Sequence, residues 1–183
     1  MKILSLNQFN EKLKVNQISL SDLKDVDVYS CHPKTTDELR QIIEDRIMNE
    51  GLECDLNDID VSNITDMRWL FYESKFNGNI SKWNVSNVKE MPFMFAISKF
   101  NGDISQWKVS GVLDMKSMFR NSKFNGDISK WNVSKVTDMN WMFCGSEFNG
   151  DISKWDVSNV EDMENMFFDC PLENNPPAWY KNE

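Results

Sequence analysis

At 183 residues the chain can form one domain, or one domain with a small appendage. Its 12 Phe, 7 Trp and 11 Met can build a core and exclude disorder of the chain as a whole. A net charge of −9 argues against nucleic-acid binding, which needs cations to displace counterions, and against docking on anionic lipid.

Residues 1–34 read as a leader. "MKILSLNQFNEKLKV" lacks the apolar run of about 7–15 residues that a secretory signal carries. No stretch reaches the roughly 20 apolar residues of a membrane span, so no membrane insertion is expected. A cytoplasmic or virion-associated location is expected, with the surface open if Met1 is not the natural start. Ser5 with Gln8 fits the cap of a short helix carrying Leu6, Phe9 and Leu13. This segment either packs on the cap at 35–59 or docks on a partner. His32, the only histidine, precedes Pro33 and reads as an exposed loop residue rather than a catalytic one. Cys31, Cys54, Cys144 and Cys170 form no CxxC pair and read as reduced thiols rather than a disulfide or zinc set.

Residues 35–59 form a cap and a half repeat. "TTDELRQIIEDRIMNE" is the strongest helix pattern, with Thr35 and Glu38 as a capping box and Gly51 as the stop. Leu39, Ile42, Ile43 and Ile47 make its apolar stripe. In "CDLNDIDVS", Leu56 and Ile59 precede Ile80 and Trp83 by one repeat.

Residues 60–179 hold five units of 24 residues, with a tail at 180–183. Met67, Met91, Met115, Met139 and Met163 stand in one column. Trp83, Trp107, Trp131 and Trp155 stand in another. Two Phe columns start at Phe71 and Phe76, and a Val column at Val61. The last unit is degenerate, with Leu172 in a Phe position, Trp179 in the Trp position, and Pro176–Pro177 blocking further strand pairing.

Within a unit, "DMxxMF" predicts a helical turn. Its acidic start (Asp66, Glu90, Asp114, Asp138, Asp162) suits a positive dipole end, and Pro92 suits a first turn. Met139, Met142 and Phe143 would share one face. "ISKWNV" predicts a strand burying Trp131 and Val133, and "FNG" a turn needing positive φ or close backbone approach. The expected fold is therefore an α/β repeat solenoid of right-handed, leucine-rich-repeat-like coils with a helical N-terminal cap. Neighbouring coils would lie ~4.8 Å apart.

No cofactor is implied, since neither a P-loop nor a GxGxxG occurs. Asp103, Asp127 and Asp151 stack in a line with Asn79. Turn-forming Asp explains that recurrence better than a calcium site. The Trp and Met columns read as core, because Ile59 stands in for Trp at the array's start. A binding site belongs where the repeat varies. One such column reads Trp69, Phe93, Ser117, Trp141, Asn165, and a second reads Tyr72, Ala96, Arg120, Cys144, Phe168. Trp69, Phe93 and Trp141, with Tyr72 and Arg120, are the candidate protein contacts.

"FNGDISKWNVSKVTDMNWMF" resembles the repeat of the BspA-like leucine-rich-repeat surface proteins, first grouped from mycoplasma lipoproteins, over residues 52–170. The resemblance implies a non-enzymatic repeat protein used for adhesion or protein contact. The array also resembles repeat arrays of gut bacteria and their phages. The expected function is a protein–protein interaction scaffold with a protein partner. The alternatives are a virion-type structural component docked through the leader, or a cell-surface adhesin.

Overall fold

The computed structural model describes residues 4–5, 26–27 and 29–181. Strand β1 (Leu4–Ser5) pairs in parallel with β2 (Val26–Asp27), Leu4 opposite Val26. Ser5 thus lies in a strand rather than at a helix cap. The rest of the expected leader helix falls outside the described residues.

Helix α1 spans Thr36–Glu50. Thr35 holds an extended backbone and accepts the Glu38 N–H at 3.2 Å through Oγ1. The Glu38 carboxylate reaches back to the Lys34 N–H at 2.7 Å, one residue beyond the capping-box position. Gly51 stops the helix at φ +93°, where a side chain would be strained. Leu39 and Ile43 are buried, with Ile42 and Ile47 packed beside them. Two polar links fix α1 to the coils. Arg46 reaches Asp58 at 3.0 Å and the Asp55 carbonyl at 2.8 Å. Thr36 Oγ1 donates to the Asp66 carbonyl at 2.6 Å.

The repeats do not form an α/β repeat solenoid. Among the described residues α1 is the only helix, and no repeat contains a strand beyond isolated one-residue bridges. The reason lies two residues after the first Met. Trp69, Phe93, Ser117, Trp141 and Asn165 all take left-handed backbone, φ +52° to +58°, which a right-handed helix cannot accommodate. A second left-handed position occurs four residues later, at Glu73, Ile97, Asn121, Gly145 and Asp169. Positive φ at the third residue of a four-residue turn is the type II signature. "DMxxMF" is accordingly a ribbon of consecutive turns.

The ribbon divides its N–H groups between two uses. Those of Leu70, Tyr72 and Ser74 close turns onto the carbonyls of Met67, Trp69 and Phe71. Those of Met67, Trp69, Phe71 and Glu73 point across to Glu90, Pro92, Met94 and Ala96 of the next coil, at 2.8–3.1 Å. The same four donors recur at each later junction, ending with Gly145 to Phe168 at 2.8 Å. Parallel bridges join Asp66, Glu90, Asp114, Asp138 and Asp162 in series. The "ISKWNV" segment forms no strand either. The Trp131 N–H turns back to the Ile128 carbonyl at 3.1 Å.

The core is a set of side-chain columns inside this stack of coils. Phe71, Phe95, Phe119, Phe143 and Phe167 stack with centroids 5.4–6.0 Å apart and planes within 4°. Phe76, Phe100, Phe124 and Phe148 form a second stack. Trp83, Trp107 and Trp131 form a third, 6.3–6.5 Å apart. These spacings exceed the ~4.8 Å between hydrogen-bonded strands, so neighbouring rings are offset as well as parallel, as their quadrupoles prefer. The Met67, Met91, Met115 and Met139 side chains are fully buried, and Met163 in the last coil is half-buried.

Each Trp also carries a polar link. Its indole N–H donates to a backbone carbonyl of the preceding coil: Trp83 to Leu56, Trp107 to Ile80, Trp131 to Ile104 and Trp155 to Ile128, at 2.9–3.2 Å. Trp179 repeats the bond to Ile152 at 3.0 Å, and Tyr180 closes edge-on over Phe167.

Candidate functional site

The repeated polar residues are engaged within the stack. In "FNG", the Asn77 side chain accepts the Asn101 N–H at 2.7 Å. Asn101 accepts from Asn125, and Asn125 from Asn149, both at 2.8 Å. An amide ladder thus runs up that edge. The Gly beside it has no positive φ. A Cβ on Gly102 would lie 2.8 Å from the Phe100 ring, and one on Gly78 only 2.1 Å from the Cys54 carbonyl. Close approach, rather than left-handed backbone, requires glycine at these turns.

Asp103, Asp127 and Asp151 each accept the N–H two residues on, at 2.9 Å, and Asn79 does the same at 3.2 Å. These hydrogen bonds hold all three carboxyls below the usual range. No group of three or more metal-ligating side chains occurs among the described residues.

The second acidic column behaves differently. Asp66, Asp114, Asp138 and Asp162 cap the N–H two residues on, at 2.7–2.9 Å. Where the column carries Glu90, the residue two on is Pro92, which has no N–H to cap. Burial, then the neighbouring carboxylates Asp114 and Asp66, push Glu90 up. Burial, with Asp114 and Asp162 nearby, also pushes Asp138 up.

His32 is exposed, with Nδ1 3.2 Å from Asp60 Oδ2. All four cysteines are free thiols, and burial raises those of Cys54, Cys144 and Cys170.

The two variable columns lie along the turn ribbon and gather into two clusters. At the N-terminal end Trp69 is 54% exposed and Tyr72 43%, with Phe93 half-buried against Trp69 at 6.1 Å. Together with Ile43, Ile47 and Arg40 of α1 they line a groove of about 860 Å³. Further along, the Arg120 guanidinium lies 4.9 Å over the Trp141 ring, and Phe168, 54% exposed, sits 6.4 Å from Trp141. Phe168 extends this cluster beyond the residues singled out in the sequence. Its place in the second variable column was the available signal. Sequence reasoning did not foresee the contribution of α1 to the first cluster, because that contact joins segments about 30 residues apart.

No helix among the described residues is long and apolar enough to cross a membrane. The family model described as "Mycoplasma protein of unknown function, DUF285" matches residues 39–143 and 96–181. The chain belongs to that family of repeat proteins. Neither the curated proteins nor the solved structures yield a match.

Proposed function

We propose that this protein is a non-enzymatic scaffold for protein–protein interaction, and that its contact surface is the aromatic ridge on the turn ribbon. The observation that carries this reading is the backbone of Trp69, Phe93 and Trp141. Each holds a bulky side chain in left-handed conformation, at φ +56° to +58°. That conformation costs about 1–2 kcal/mol per residue for anything but glycine, with Asn and Asp tolerated best. The stack does not need an aromatic there, because Ser117 and Asn165 fill the same column. Aromatics kept at the surface at a backbone penalty, Trp69 exposed and Phe93 and Trp141 half-buried, are what a contact surface requires. Arg120 over Trp141 adds a cation to the ridge, the other residue type that dominates interface energetics.

The test is affinity capture from the source organism with the intact chain and with a Trp69→Gly, Trp141→Gly double variant. Glycine suits both backbones, so the variant should fold. Loss of the captured partners with an unchanged melting temperature is expected. Capture of the same partners in the same amounts would refute the ridge.

A further inference from the structure

We infer that the groove between α1 and the first coil is a docking site for a peptide segment that forms the same turn ribbon as the coils. The inference rests on the scaffold reading above and names what one end of the ridge takes. At every inner junction four ribbon carbonyls accept four N–H groups from the preceding coil; the first set is Glu90, Pro92, Met94 and Ala96. The corresponding carbonyls of the first coil belong to Asp66, Arg68, Leu70 and Tyr72. Among the described residues only that of Asp66 has a partner, the Thr36 hydroxyl. Helix α1 therefore satisfies one acceptor of four. The groove lies beside the other three, along Leu70, Phe71, Tyr72 and Trp69. The groove continues the inter-coil ladder, so the geometry of that ladder specifies its occupant.

The inner junctions show what such an occupant carries. It presents N–H groups at alternate residues, and because Phe71 and Met67 are already buried its apolar side chains meet the groove walls rather than the Phe71 ring. It turns left-handed at every fourth residue, which favours Gly, Asn or Asp there. Ile43 and Ile47 on α1 and Trp69 and Phe93 on the ribbon supply the apolar walls. With a net charge of −9 on the protein, a neutral or basic segment approaches without repulsion. Recognition is then a main-chain ladder, with side-chain pockets setting specificity, as when a peptide adds to a sheet edge.

The probe is a fluorescein-labelled peptide of sequence DMKSMFRNS, titrated against the intact chain by fluorescence anisotropy. It copies residues 114–122, a ribbon whose N–H donors at Met115, Ser117, Phe119 and Asn121 fill an inner junction. Saturable binding is expected. N-methylation at the Ser117, Phe119 and Asn121 positions removes the donors for the three open carbonyls and should weaken binding about tenfold or more. Glu44→Trp, at an exposed position on the groove wall, should block binding, whereas Leu113→Ala, exposed and outside both the groove and the ridge, should leave it unchanged. No saturable binding, equal affinity of the methylated peptide, or full binding by Glu44→Trp would overturn the inference. Concentration-dependent self-association that the peptide dissolves would also overturn it, assigning the groove to a second copy. If the ridge variant loses its partners while the methylated peptide binds normally, only the docking mode fails and the scaffold reading stands.

Discussion

Replacing Trp131 by Ala tests the core in the middle of the stack. The side chain is 4% exposed and stacks on Trp107 at 6.5 Å. It lies 6.4 Å from Phe119, and its indole N–H meets the Ile104 carbonyl at 3.1 Å. Removing a large buried aromatic costs about 3–5 kcal/mol through lost transfer energy and the cavity left behind. The stranded Ile104 carbonyl adds about 1–3 kcal/mol. Coils above and below are hydrogen-bonded on both sides, so they cannot collapse into the space. Trp131→Phe refills most of the volume but strands the same carbonyl, a cost of about 1–3 kcal/mol plus the smaller packing defect. The assay is urea unfolding monitored by circular dichroism, with a thermal melt in parallel. At about 2–4 °C per kcal/mol for a chain of this size, Trp131→Ala should lower the melting temperature by roughly 8–32 °C. Trp179→Ala, in the half-buried closing turn, should lower it by less. Equal midpoints for wild type and Trp131→Ala would refute the assignment of the Trp column to the core.

Asn101→Ala removes the acceptor of the Asn125 N–H and should cost about 1 kcal/mol in urea unfolding, while Asn101→Asp, which still accepts, should cost less. Trp69→Gly exchanges an exposed aromatic for the residue its backbone favours, so the melting temperature should hold or rise by a few degrees; a clear fall would show that the ring supports the stack. Asp138→Asn should raise the melting temperature at pH 7. Its carboxyl titrates above the ordinary value in the fold, so the wild type recovers that stability as pH falls through the folded pKa, and the gain should vanish below about pH 4. Asp127→Asn should show no such gain. That carboxyl titrates below the ordinary value, and its contribution is present above the unfolded pKa and lost as pH falls through the folded one.

The period and the side-chain columns were fully legible in the sequence. A residue that recurs every 24 positions meets its own copy in the next coil, and Trp131 and Phe124 are buried where that rule puts them. The Asn of "FNG" recurs for the same reason, although its ladder partner became visible only in three dimensions. Fold class was not legible. Met139, Met142 and Phe143 have helical spacing, but a ribbon of consecutive turns also brings these positions inward, and composition does not separate the two. The backbone choice is made by the neighbouring coil. In an isolated helix the Met139, Trp141 and Phe143 N–H groups would bond within the segment; here they bond to Asp162, Glu164 and Met166 instead. The candidate site divides along the same line. The sequence by itself determined which columns vary, and so which residues the repeat does not dictate. Only the tertiary structure decided that, among the described residues, three carbonyls of the first coil have no partner beside Trp69 and Tyr72, because which carbonyl α1 meets is set by packing between distant segments and not by any local pattern.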